Sequence, residues 1–161
     1  MNLYIKQRIF SFADKYSVYN EFGEPIYNVE GELFSWGAKI HLYDLNRTEL
    51  YFIKQKIFNF FPEYEIYKGD TICARVKKEI SFLRPKLDVQ SSYGDFEIEG
   101  SFMQMDFEIQ CNGQNLGEIH KQWLSWGDTY CLSVVNPDNA AFFTSLVIAI
   151  DNCLHNDSNK K

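Results

Sequence analysis

Hydrophobic and polar positions alternate along most of this chain with a period of two, the spacing of a half-buried strand, until residue 139, where the period changes. In Ile5-Lys6-Gln7-Arg8-Ile9-Phe10 one face carries Ile5, Gln7 and Ile9, and the other carries Lys6, Arg8 and Phe10. Ile53-Lys54-Gln55-Lys56-Ile57-Phe58 repeats this arrangement nearly residue for residue. Segments of this kind are rich in Ile, Val, Tyr, Phe and Trp. Turn chemistry separates them at Asn20-Glu21-Phe22-Gly23-Glu24-Pro25, Asp44-Leu45-Asn46-Arg47, Lys68-Gly69-Asp70, Ser91-Ser92-Tyr93-Gly94-Asp95 and Cys111-Asn112-Gly113-Gln114.

A triplet of apolar, small polar and aromatic residues punctuates the alternation. It occurs as Phe10-Ser11-Phe12, Phe34-Ser35-Trp36, Phe58-Asn59-Phe60, Ile80-Ser81-Phe82 and Leu124-Ser125-Trp126, with a degenerate copy expected near Phe102-Met103. Six units about 23 residues apart each hold two strands and their turns, which predicts a mainly β fold of twelve antiparallel strands. An open sheet of that size leaves two edges and strains the twist. Closure into a barrel of six hairpin repeats is therefore the expected solution, with two packed sheets as the alternative.

After Asn136-Pro137-Asp138-Asn139 the pattern becomes helical, over about 139–155, with Asp138 or Asn139 as the expected N-cap. Phe142, Phe143, Leu146, Val147, Ala149, Ile150, Cys153 and Leu154 cover well over half of that helix, leaving Thr144, Ser145 and Ile148 on the remainder. A helix so apolar must be buried, and a twelve-stranded barrel is too wide to be filled by its own side chains. The helix is thus expected to thread the barrel centre.

Composition narrows the setting. The 161 residues suffice for one domain, expected over 1–156 with a disordered tail at 157–161, and 45% hydrophobic with 17% aromatic residues excludes an intrinsically disordered chain. The net charge of −6 argues against nucleic acid as a partner. Cys73, Cys111, Cys131 and Cys153 are far apart and the start lacks a signal sequence, so reduced thiols and a cytoplasmic protein are expected. The apolar run 140–150 is well short of the ~20 residues that cross a bilayer.

The segments Leu3-Tyr4-Ile5-Lys6-Gln7-Arg8-Ile9-Phe10-Ser11-Phe12, Val29-Glu30-Gly31-Glu32-Leu33-Phe34-Ser35-Trp36-Gly37, Ile98-Glu99-Gly100-Ser101-Phe102 and Lys121-Gln122-Trp123-Leu124-Ser125-Trp126-Gly127-Asp128-Thr129-Tyr130, with the terminal Ala149-Ile150-Asp151, resemble the LURP-one-related family, in particular its short bacterial members. That family is distantly related to phospholipid scramblases and shares the tubby C-terminal-like fold. The resemblance implies a twelve-stranded barrel threaded by its C-terminal helix. It implies no single activity, because relatives include a phosphoinositide-binding regulator, scramblases and plant defence proteins.

No catalytic constellation, metal motif or cofactor loop stands out, and neither metal nor cofactor is expected. The spacing of Lys6, Arg8, Lys54 and Lys56 on corresponding strands makes them the candidate ligand site, for an anion or a phospholipid headgroup. Gln7 and Gln55 face inward as structural hydrogen-bonding groups. The aromatic triplets are assigned to packing at hairpin corners, although exposure of Trp36 or Trp126 there would mark an interaction surface instead. The functional expectation is a non-enzymatic binding or regulatory module, peripheral at a membrane or bound to a protein partner. The alternatives are a scramblase-like lipid handler and a small-ligand carrier or enzyme with a cavity beside the helix.

Overall fold

The computed structural model describes residues 1–6, 15–80, 85–101, 104–124 and 127–155. Twelve strands run in chain order: β1 (Asn2–Lys6), β2 (Lys15–Asn20), β3 (Pro25–Gly31), β4 (Lys39–Tyr43), β5 (Glu49–Gln55), β6 (Glu63–Lys68), β7 (Thr71–Ile80), β8 (Pro85–Ser91), β9 (Glu97–Ser101), β10 (Asp106–Cys111), β11 (Gln114–Leu124) and β12 (Gly127–Val134). Each pairs antiparallel with its sequence neighbour except β8 with β9, and β1 closes onto β12. The result is a nearly closed barrel whose two sheet edges, β8 and β9, are joined among the described residues by the bridge Val89–Phe96.

Because every paired neighbour runs the opposite way, connections alternate between the two ends of the barrel. Those after even-numbered strands form a turn end. Those after odd-numbered strands form a tip end, and the two triplets described whole, 34–36 and 58–60, fall there.

Register separates wall from core. Ile40, Ile53, Ile66 and Ala74 align across β4 to β7 and turn inward, while the adjacent row of Lys39, Lys54, Glu65 and Arg75 faces outward. A slip of one residue in any of these strands would exchange its two rows, so the buried isoleucines hold the register.

The last strand leads through a 3-10 turn, Pro137–Asn139, into α1 (Ala140–His155). Asn136 caps that turn, its Oδ1 accepting from the Asp138 amide at 3.1 Å, and Asn139 directly precedes the first residue of α1. Pro137 holds the residue before it extended and opens the turn itself. The helix runs from the turn end to the tip end, where Cys153 Sγ donates to the Pro62 carbonyl at 3.4 Å.

Burial of α1 exceeds the apolar stripe read from the sequence, since Thr144, Ser145 and Ile148 are buried as well. Their hydroxyls do not need the barrel wall. Thr144 Oγ1 donates to the Ala140 carbonyl at 2.8 Å and Ser145 Oγ to the Ala141 carbonyl at 3.0 Å. Polar side chains satisfied by their own helix can be enclosed at little cost.

Leu146 is fully buried in this core. Leu146→Ala is expected to cost about 2–5 kcal/mol in urea unfolding with little change in the slope, through the cavity it leaves. On the wall, burial alone would push the Glu65 carboxyl up. Hydrogen bonds from Tyr67 and Arg75 and the charge of Lys56 outweigh burial and hold it below the ordinary 4.5. A depressed carboxyl stabilises the fold above its unfolded value, and the contribution is lost as pH falls through the folded one. Unfolding followed from pH 7 to pH 3 should therefore fall less steeply below 4.5 in Glu65→Gln than in the wild type.

Candidate binding surface

Lys54 and Lys56 lie together on the outer wall near the tip end, both exposed. Lys56 is spent on two buried carboxylates, with its Nζ 3.2 Å from Glu63 and 3.7 Å from Glu65. Lys54 faces outward between Lys39 and Glu65 on the neighbouring strands. Lys6 ends β1, and Arg8 with Gln7 lies outside the described residues. Strands β1 and β5 are four positions apart in the sheet, about 19 Å around the wall at ~4.8 Å per strand. Lys6, at the end of β1, is therefore about that far along the wall from Lys54 and Lys56.

The rest of the wall is a lattice of cross-strand ion pairs. Glu30 holds Arg47 and Lys15, and Glu32 holds Lys39 and His41. The Arg47 hydrogen bond keeps the Glu30 carboxyl low, and that from Lys39 does the same for Glu32. Charge is therefore largely neutralised on the wall near the tips. The turn end carries Glu21, Glu24, Asp44, Asp70, Asp95 and Asp138 in its connections against Arg47.

Two tip loops, 32–38 and 56–62, show what the repeated triplet does. Ser35 Oγ donates to the Gly37 carbonyl at 2.6 Å, and Asn59 donates to Glu63 across the next loop. The small polar residue at the centre of each triplet turns back to close its own loop. Its two apolar neighbours are thereby aimed outward: Phe34 is 97% exposed, Trp36 84%, Phe58 92% and Phe60 90%. Backbone bonds from Glu32 to Lys39 and from Lys56 to Glu63, both 2.9 Å, pinch the loop bases.

The loops also brace each other. A Cβ on Gly37, which has φ +77°, would come within 2.5 Å of Ile57 Cγ2, so only glycine allows this approach. Gln55 sits half-buried beneath them, and its Oε1 accepts from the Ala38 amide at 2.9 Å. That is the structural role expected for it.

These rings were expected to pack, and the structure corrects this: on both described loops they project into solvent. Four large exposed aromatics on adjoining loops are unusual for a soluble surface. The remaining copies fall wholly or partly outside the described residues, but the strands bracketing them end at the same end of the barrel.

Other chemistry is sparse. Burial pushes the Cys73 and Cys131 thiols up, away from the reactive thiolate. Asp151 accepts from the Tyr130 hydroxyl at 2.8 Å, which ties the helix to β12. Among the described residues no cluster of three His, Cys, Asp or Glu is arranged to hold a metal, and no helix is long and apolar enough to cross a membrane.

Comparison with known proteins bears on the whole chain. The LURP-one-related family model matches residues 1–151. The uncharacterized protein YxjI of Bacillus subtilis (strain 168) is 31% identical over 161 residues, covering 99% of this chain and 98% of that protein. In three dimensions the chain is similar to the X-ray structure of the Arabidopsis thaliana protein AT5G01750, with a TM-score of 0.66 at 18% identity, over 94% of this chain and 89% of the other. At that identity the likeness speaks for the fold alone. With twelve strands, one enclosed helix and a family match from the first residue to within the helix, the chain belongs to the LURP-one-related family.

Proposed function

We propose that this chain is a non-enzymatic binding module that docks peripherally on a phospholipid surface through the tip end of its barrel. The observation that carries this reading is the near-complete exposure of Phe34, Trp36, Phe58 and Phe60 on two adjoining, internally braced loops. Side chains this exposed project from the loops and do not line a groove. That suits a soft bilayer interface better than an interlocking protein surface. Each ring transferred out of water contributes roughly 1.5–3 kcal/mol, so several together offset the cost of association and give reversible attachment.

Charge supports the same orientation. The acidic turn end is separated from the tips by the length of the strands, up to 11 residues or about 35 Å, several Debye lengths at physiological salt. In this reading an anionic surface meets the tips and the exposed Lys54, with the acidic end held away. A scramblase-like role that inserts α1 into the membrane fits poorly, because removing the helix would empty the barrel.

Co-sedimentation with neutral and anionic vesicles, at low and physiological salt, tests the reading. Substituting Trp36, Phe58 and Phe60 together by Ser is expected to reduce binding roughly tenfold or more while changing stability little, since the rings are exposed. Replacing Lys6, Arg8 and Lys54 by Gln, with Lys56 left to hold Glu63 and Glu65, should remove the salt-sensitive part of binding to anionic vesicles. A wild-type protein that binds no vesicle in any condition would sink the proposal and turn attention to a protein partner.

A further inference from the structure

The one interruption in the barrel wall lies between β8 and β9. These strands are consecutive and joined by a short link, so a zipped hairpin would be the ordinary outcome. They form the bridge Val89–Phe96 beside the link and then part. Between them is a cleft of about 340 Å³, lined by residues 87–89 and 96–99. Strand β8 pairs with β7 on its other side and β9 with β10, so beyond the Val89–Phe96 bridge each presents one edge of backbone N–H and C=O groups to the cleft, without a ladder partner among the described residues.

Side-chain alternation continues across the gap. Leu87, Val89 and Phe96 are buried, and Ile98 packs against the core. Asp88, Glu97 and Glu99 stand on the opposite, outer side, and no cation lines the cleft. A chain lying between the edges would meet apolar groups with every second residue and carboxylates with the ones between.

We propose that this seam accepts one extended segment of a partner protein, about five residues long, in which apolar residues alternate with Lys or Arg. The length is that of β9. Apolar side chains would enter toward Val89 and Ile98, and basic ones would meet Asp88, Glu97 and Glu99. Since β8 and β9 run in opposite directions, the added strand is, in either orientation, antiparallel to one edge and parallel to the other. A second copy of this chain is a poor occupant, because its own edges carry the same carboxylates. The general mode is strand addition, in which main-chain bonds give affinity and alternate side chains give specificity. The inference is independent of the membrane reading.

The test uses the full chain and three synthetic peptides: Ac-Lys-Val-Lys-Val-Lys-Val-NH2, the same peptide with its central Val N-methylated, and Ac-Glu-Val-Glu-Val-Glu-Val-NH2. Amide hydrogen exchange is read by NMR with and without each peptide. The basic peptide should slow exchange at residues 87–89 or 97–101 by roughly tenfold or more at saturation, and neither control should. Glu97→Gln with Glu99→Gln should weaken that binding by roughly fivefold. The idea is overturned if the basic peptide gives no effect at millimolar concentration. Equal binding of the N-methylated peptide, which would mean charge adsorption only, overturns it too. So does slow exchange along both edges in the free protein, which would mean that the seam is already zipped in solution.

Discussion

The width of a twelve-strand barrel is the constraint on which everything else in this molecule depends. Side chains pointing inward from so many strands cannot meet at the axis, so the wall has no core of its own and something must be supplied to fill it. Helix α1 is that filling, and its demands reach both ends. At the turn end Phe142 and Phe143 join the rings of Tyr51, Tyr93 and Phe96 in one aromatic cluster. At the tip end Cys153 reaches the Pro62 carbonyl beneath the second crest loop. The same helix that closes the interior also fixes the base on which the exposed rings stand.

Among the described residues the wall is largely taken up by ion pairs, and the features that stand out from it lie at the two ends and the seam. The tip loops achieve their exposure through one local device: a small polar residue that bonds back into its own loop and turns its neighbours out. Nothing in the sheet ladders requires Phe or Trp at those positions. The rings are compatible with the fold without contributing to its core, which is why they read as functional.

Much of this architecture was legible in the residues. Period-two alternation and the triplet spacing gave the strand count, and the change of period at 139 gave the helix and its central place. What was missed has identifiable causes. Burial of Thr144 and Ser145 depends on bonds to carbonyls four residues back, and a helical wheel does not show them. Aromatic residues at strand ends look the same in a sequence whether they fold inward or outward, and the decision rests on where Ser35 and Asn59 send their hydrogen bonds. The parting of β8 from β9 has no local signature either, since it follows from how the sheet fails to close.

The order in which these parts are made has a consequence for the cell. Strand β1 must find β12 across more than a hundred residues, and the helix that fills the barrel is translated after all twelve strands. A ribosome therefore carries nearly the whole chain as unfinished sheet with its apolar face uncovered, and folding becomes a single late event. The exposed Phe and Trp crest is present on that nascent chain from the first hairpins onward, so such a protein is one for which early shielding by chaperones matters more than its modest length would suggest.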